Sequence, residues 1–338
     1  MDQIIECVPN FSEGTNQEII QSITGAIGSV EGVKLLNVDP GRDANRTVVT
    51  FAGQPEAVIE AAFLAIKTAG ELIDMSAQNG THPRMGATDV CPLIPVSNIT
   101  LDEVTVYANR LAQRVGEELQ IPVYLYENSQ PDKKRSNLAA IRAGEYEGFF
   151  KKIKLPNWKP DFGPAEMDAK RGATVIGARD FLIAYNINLN TASAHIANEI
   201  AQDVRETGKI IIEKNGKERI PGSLKYVKAI GWYIPEYGKA QVSMNLTNIS
   251  ATPIHEVFDE VCAKATEHGC EVTGSELIGM IPLKAMIDAG RYFLLKQGIT
   301  YVTDEFKLID AAIQAMGLNE LAPFDPQKKI IEYQLDNK

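Results

Sequence analysis

Two periods of apolar residues run along this chain, and the order in which they follow one another predicts the fold. Ile4 to Val8 is a short apolar run closed by Pro9-Asn10, as expected of a buried strand. Thr15-Asn16-Gln17-Glu18 has the spacing of a capping box, and Ile19, Ile20, Ile23 and Ile27 form a helical face behind it. Val33 to Val38 predicts a second strand, ended by the turn-forming Asp39-Pro40-Gly41-Arg42-Asp43, and Asn45 to Ala52 returns as a third. Pro55 stands where a helix can begin, and Val58, Ile59, Ala62, Phe63, Ile66, Leu72 and Ile73 make the longest amphipathic stripe in the chain. Val90 to Val96 is a fourth strand.

The order β-α-β-β-α-β defines a ferredoxin-like unit. It recurs after residue 173. Strands at Phe181 to Leu189, Lys225 to Ile234, Gln241 to Thr247 and Glu271 to Pro282 enclose helices at Ala192 to Val204 and Ile254 to Glu267. Gly86-Ala87-Thr88-Asp89 followed by Leu93-Ile94-Pro95-Val96 rhymes with Gly274-Ser275-Glu276-Leu277 followed by Met280-Ile281-Pro282-Leu283, as a duplication would leave. The fold class is therefore α+β, with two ferredoxin-like subdomains, 1–172 and 173–338, and additional helices. One of those helices is capped by Thr100 and Glu103, with Val104, Leu111, Val115 and Leu119 on one face. Leu155 to Gly172 has prolines, glycines and no period. A connection longer than ~12 to 15 residues is uncommon unless it binds something or is disordered, and Trp158 and Phe162 favour binding. Leu283 to Leu295 and Phe306 to Met316 predict helices, and Pro323 onward reads as a polar tail.

Composition narrows the function. With 338 residues, 44% hydrophobic and 23% charged, the chain suits two soluble cores. No apolar run reaches the ~18 residues of a membrane span. The start of the chain lacks a secretory pattern, so the cytoplasm is the expected compartment. A net charge of −10 excludes a typical nucleic-acid binder and directs attention to local basic groups: Arg42, Arg46, Arg84, Lys133-Lys134-Arg135 and Lys170-Arg171. The four cysteines show no CxxC pair and predict reduced, buried thiols. No histidine pair has metal-ligand spacing, so no metal is expected.

Candidate chemistry concentrates in Asn79-Gly-Thr-His-Pro-Arg-Met-Gly-Ala-Thr-Asp-Val-Cys-Pro92. His82 is its most informative residue, because an imidazole with an unperturbed pKa of roughly 6.5 takes and gives protons near neutrality. A surface-loop histidine is the plainer alternative. In a ferredoxin-like unit with strand order four, one, three, two, the exit of strand one, the hairpin of strands two and three and the entrance to strand four share one edge. His82 should then face Asn10, Ser12, Glu13, Asp39 and Arg42. His268 reads as a helix cap, and His195 and His255 as packing or surface residues.

Glu6-Cys-Val-Pro-Asn-Phe-Ser-Glu-Gly14, Asp39-Pro-Gly-Arg-Asp-Ala-Asn-Arg46 and Thr81-His-Pro-Arg-Met-Gly-Ala-Thr-Asp89 resemble the motifs of the glutamate formimidoyltransferase (glutamate formiminotransferase) family, and the resemblance spans nearly the whole chain. It implies two ferredoxin-like subdomains flanking a folate tunnel, and transfer of the formimino group from N-formimino-L-glutamate to tetrahydrofolate in histidine degradation. The family's catalytic histidine falls on His82. Its folate-binding stretch falls on Gly163, Pro164, Ala165, Glu166, Met167, Asp168, Ala169, Lys170, Arg171 and Gly172. The fused cyclodeaminase of the animal enzymes has no counterpart in this sequence, so a stand-alone form is expected.

Further roles follow as expectations. Asp39 would orient His82 or hold the amidinium, though a turn-capping aspartate is the simpler alternative. Arg42 and Arg84 would take substrate carboxylates, because a planar fork matches a carboxylate in two hydrogen bonds. Asn10 and Thr88 are further candidates for substrate contact, and Lys170-Arg171 for the glutamyl tail of folate. The expected partners are the two small substrates and a second copy of the chain, with neither nucleic acid nor membrane. Rival readings are formyl transfer between 5-formyltetrahydrofolate and glutamate, and a non-catalytic folate- or ligand-binding protein.

Overall fold

A computed structural model describes residues 3–42, 45–80, 83–213 and 216–336. The chain divides into two compact units, 1–179 and 180–338.

In the first unit β1 (Ile4–Cys7) and β2 (Asn10–Phe11) are one strand interrupted at Pro9. There follow α1 (Gln17–Gly28), the hairpin of β3 (Val33–Gly41) and β4 (Arg46–Gly53), α2 (Pro55–Leu72) and β5 (Thr88–Ser97). Both β1 and β2 lie between β4 and β5, antiparallel to each, and β3 pairs only with β4. This is the ferredoxin-like order that the sequence predicts. Ile23 and Ile27 of α1 and Val58, Ala62 and Ile66 of α2 are buried in the same core as Cys7, Phe11, Val49, Phe51 and Leu93. Each fully buried Ile or Phe contributes about 1.5–3 kcal/mol to folding.

Two details differ from the sequence reading. The N-cap of α1 is Asn16, whose side chain accepts from Glu18 N–H and Ile19 N–H, because Glu13 has already captured Thr15 through its backbone and hydroxyl. Strand β3 runs on through Pro40 to Gly41; as an edge strand it tolerates the missing N–H.

The unit then outgrows the ferredoxin-like plan. Helix α3 (Leu101–Glu118) starts with the predicted capping box at Thr100 and Glu103 and packs beside α2, where Arg110 pairs with Glu56 at 2.7 Å. Next come β6 (Val123–Leu125), α4 (Leu138–Arg142), α5 (Glu145–Lys152) and β7 (Thr174–Ala178). Strand β7 inserts between β5 and β6, parallel to both. Its five residues are all buried, a short run that includes Gly177 and Ala178, and it lies just beyond residue 172, where the sequence reading ended the first subdomain.

In the second unit β8 (Ile183–Leu189), α6 (Ala194–Val204), β11 (Val227–Ile234), β12 (Lys239–Leu246), α7 (Ile254–Glu267) and β13 (Val272–Ile278) repeat the pattern, with the hairpin β9 (Lys209–Glu213) and β10 (Gly216–Ile220) inserted after α6. The sheet order β11-β12-β8-β13 is again ferredoxin-like. Helices α8 (Leu283–Lys296) and α9 (Glu305–Ala315) pack against each other, followed by α10 (Pro326–Lys329) and α11 (Ile331–Asp336). The expected polar tail is thus partly core: Ile330 and Ile331 are fully buried, and Ile330 bridges to Ile281. Among the described residues no helix is long and apolar enough to cross a membrane.

The histidines on helices resolve differently. His195 is exposed beside Glu199, whereas His268 caps α7 and meets Asp203 at 2.8 Å. His255 is buried, its ring centroid 4.5 Å from that of Tyr292, and its Nδ1 has no hydrogen-bond partner. Burial lowers its pKa from 6.5. The unfolded chain then binds a proton that the native state resists, so this contribution to stability is intact above pH ~6.5 and is lost as pH falls through the lowered native value. Urea midpoints measured between pH 7.5 and 5 should fall more for the wild type than for His255→Phe; equal pH dependence in the two proteins would contradict this.

Candidate active site

Three segments of the first unit meet at one edge of its sheet, and Asn45 ties them. Its Oδ1 accepts Gly14 N–H at 3.0 Å, its Nδ2 donates to the Asn79 carbonyl at 2.8 Å, and its own carbonyl accepts Gln78 Nε2 at 2.9 Å. A φ of 46° places Asn45 in the left-handed region, which asparagine tolerates better than most residues. Ser12 extends the contact: its N–H donates to Ala87 O at 2.9 Å and its hydroxyl to Gly86 O at 2.8 Å. The convergence expected from strand order, between the strand-one exit, the β3-β4 hairpin and the approach to β5, is present in the described residues.

Beneath these loops Asp89 is fully buried. Its Oδ2 accepts from Arg46 Nη1 and Arg142 Nη2, both at 2.6 Å, and its Oδ1 accepts Met85 N–H at 3.0 Å. Asn10 orients Arg46 by accepting Nε–H at 3.0 Å while its own amide nitrogen donates to Val8 O. Burial lowers the pKa of Arg46, and the Asp89 carboxylate opposes that shift. Arg142 arrives from the end of α4, where Lys152 Nζ donates to the carbonyls of Ala140, Ile141 and Ala143 and lies 3.9 Å from the Trp158 ring centroid. Burial pushes the Lys152 ammonium down to about 8.

Arg84 is just as firmly held. Nε donates to Gln78 Oε1 at 2.8 Å, Nη2 to Gln78 O and to Glu147 Oε1, and Nη1 to Glu145 and Glu147. Its hydrogen bonds to Glu147 hold that carboxyl below the usual range. The expected role of Arg84 as a receptor for a substrate carboxylate meets a fork already filled by the protein, because α5 brings two glutamates beneath it. The Arg84 carbonyl in turn accepts Tyr146 N–H at 2.8 Å.

The stretch from Gly163 to Gly172 is stitched to the same segment. Gly86 and Gly172 form an isolated bridge; Ala87 N–H donates to Arg171 O and Ala173 N–H to Met85 O. No side chain fits here: a Cβ on Gly172, at φ 72°, would lie 2.3 Å from Met85 O, and one on Gly86 2.3 Å from Ala173 O. Lys170 and Arg171 reach toward helix ends. Lys170 Nζ donates to Glu71 O at 2.6 Å in the last turn of α2, and Arg171 Nη1 to Leu119 O at 2.6 Å beyond α3. Cations at helix C-termini satisfy orphan carbonyls and favour the macrodipole. Asp168 fixes Arg171 from the other side at 2.6 Å. Met167 and Gly172 are buried, Pro164 is half-buried, and Gly163, Ala165, Glu166 and Ala169 are exposed.

The remaining sequence candidates divide. Thr81 and His82 lie outside the described residues, as do Asp43 and Ala44. Asp39 is exposed and stands opposite Val48, itself opposite Asn10, so the three share one face across adjacent strands. Arg42 is exposed, and its side chain has no hydrogen-bond or ion-pair partner among the described residues. Thr88 is buried, with its hydroxyl unpartnered. Sequence reasoning overlooked Arg142, together with the anchors Glu145 and Glu147. The signal available was faint: an arginine at the end of a short apolar run, followed by Gly144 and two glutamates.

Comparison with known proteins agrees with the motifs. Residues 4–179 match the model of the formiminotransferase domain, N-terminal subdomain, and residues 184–336 that of the formiminotransferase domain. A formimidoyltransferase-cyclodeaminase of Gallus gallus is 48% identical over 98% of this chain and 60% of its own length. Glutamate formimidoyltransferases of Streptococcus pyogenes serotype M1 and Thermoplasma acidophilum are 40% and 42% identical, covering 89% and 87% of this chain and 96% and 93% of their own. The chain thus spans about 60% of the length of the cyclodeaminase-bearing relatives and nearly all of the shorter ones. It belongs to the formiminotransferase domain family.

Proposed function

We propose that this protein transfers the formimino group of N-formimino-L-glutamate to tetrahydrofolate, giving 5-formiminotetrahydrofolate and L-glutamate, with His82 moving the protons. The observation that carries this reading is the anchoring of the chain on both sides of His82. Gln78 and Asn79 are tied to Asn45 before it, and Arg84, Met85, Gly86 and Ala87 are tied to Gln78, Asp89, Ser12 and Arg171 after it. A loop fixed at both ends limits the positions open to the residue between them. Such limitation is what a proton carrier needs, because general acid–base help requires the proton to lie within hydrogen-bond reach. Family membership adds the substrate class, since two relatives of near-equal length are named glutamate formimidoyltransferases.

The chemistry balances on a single imidazole. N5 of tetrahydrofolate attacks the amidine carbon, forming a C–N bond and a tetrahedral adduct. The adduct loses the N5 proton to His82, then breaks its bond to the glutamate nitrogen, which takes that proton as it leaves. Asp39, exposed on the face that Asn10 shares, is the candidate to hold the amidinium or orient the ring. Arg42, exposed and without a partner among the described residues, is the guanidinium for a substrate carboxylate, in place of Arg84. Gly163, Ala165, Glu166 and Ala169 are the exposed members of the folate stretch and the ones open to a ligand, while Lys170 and Arg171 brace it.

His82→Ala should lower turnover by ~10²- to 10⁴-fold with its melting temperature unchanged. A folded variant with near-normal turnover would remove His82 from the reaction. Running the same assay with N-formyl-L-glutamate beside the formimino compound tests the group transferred, and preference for the formyl donor would reverse the assignment. Arg42→Ala should raise KM for formiminoglutamate more than it lowers kcat, as expected for loss of uniform substrate binding. A fall in kcat at constant KM would move Arg42 into the chemical step.

A further inference from the structure

Two arginines share a single buried carboxylate. Asp89 is fully buried, and the Arg46 and Arg142 side chains are 9% and 14% exposed. With both guanidinium groups on Asp89 Oδ2, the cluster has a formal charge of +1 and more donors than acceptors. Asn10 takes one further N–H of Arg46. On Arg142 only Nη2 has a partner; Nε is buried without one, and Nη1 has none among the described residues. Glu145 and Glu147, the nearest acids in sequence, are turned to Arg84 instead. A desolvated donor without an acceptor is costly, and a buried charge ordinarily has a counter-charge. Nevertheless the fold holds Arg142 there with effort, fixing the end of α4 by three hydrogen bonds from Lys152.

We infer that Arg142, backed by Arg46 and Asp89, is the seat of a substrate carboxylate. Asp89 fixes one edge of each guanidinium group and leaves another edge for an incoming anion, with Arg142 supplying the unmatched donors. The ligand chemistry is a carboxylate on an amino acid, which both the amidine donor and the glutamyl end of folate carry. The assignment rests on the formimino-transfer reading for its substrates but not for its geometry. It also gives α4 and α5, absent from the ferredoxin-like plan, a role: they bring a basic group to a sheet edge on an otherwise acidic chain.

The test uses the full chain with Arg142→Gln and Arg142→Lys. KM for formiminoglutamate and for tetrahydrofolate is measured separately, beside thermal stabilisation by L-glutamate alone. Loss of a charge-assisted contact to a carboxylate should raise one KM by about 10- to 100-fold. A rise for formiminoglutamate, with the L-glutamate thermal shift abolished, assigns the seat to the donor; a rise for tetrahydrofolate assigns it to folate. Arg142→Lys should recover only part of the loss, because an ammonium lacks the planar fork. If both KM values stay put while kcat or melting temperature falls, Arg142 only braces Asp89 and the inference is overturned. A wild-type protein that transfers no formimino group but is stabilised by L-glutamate in an Arg142-dependent way would sink the proposed reaction and leave the seat standing.

Discussion

A carboxylate with no exposed surface lies beneath the loops at one edge of the first unit's sheet. Asp89 collects hydrogen bonds from the β4 strand, the α4 helix and the backbone of Met85, three segments far apart in sequence. Removing it would leave two guanidinium groups facing each other in a buried space, a defect that typically costs several kcal/mol because the remaining charge has lost its partner. It would also free Met85 N–H, three residues from His82. Stability and the shape of the candidate site therefore depend on the same side chain, and they cannot be varied independently there.

Around Asp89 the molecule uses backbone where a looser design would use side chains. Gly86 and Gly172 meet so closely that a methyl group on either would overlap a carbonyl, which lets the stretch before β7 lie directly on the strand entrance carrying Met85 to Ala87. Main-chain contacts of this kind fix distance without regard to rotamer, so residues 171–173 and Met85 to Ala87 are held at a set spacing from each other. The positive φ of Gly172 and the left-handed Asn45 are the conformational conditions for that arrangement.

The two ferredoxin-like cores were legible because their strands stand out as apolar runs closed by turn residues and their helices carry amphipathic stripes. The meeting of the strand-one exit, the hairpin and the approach to β5 then followed from strand order alone. What stayed hidden had specific causes. β7 is five residues long, Thr174 to Ala178, with a glycine and an alanine among them, a run too short to stand out after the aperiodic stretch before it. The β9-β10 hairpin mixes isoleucines with lysines, glutamates and an arginine, which reads equally as a loop. The α1 cap moved by one residue because the Glu13 carboxylate competes for Thr15, an interaction visible only in three dimensions. For the site, polar residue types could be recognised but not their saturation: Arg84, Arg42 and Arg142 look alike in a sequence, yet only Arg84 is filled on every nitrogen.

That last distinction bears on how an acidic chain can handle anionic substrates. A net charge of −10 means that most basic side chains find internal acceptors. Lys170, Arg171 and Lys152 close helix ends, Arg84 binds two glutamates, and Arg114 binds Glu60 and Glu118. Cations engaged in this way hold the scaffold but add little attraction for an anion, because their fields are already matched by nearby carbonyls and carboxylates. Near this sheet edge, among the described residues, Arg42 on the surface and Arg142 within keep donors that no acceptor takes up, and on the proposed reaction these are the groups left for a substrate carboxylate. On that reading a carboxylate would meet a small positive region on a chain of net negative charge, which favours its entry in one orientation over its retention anywhere else.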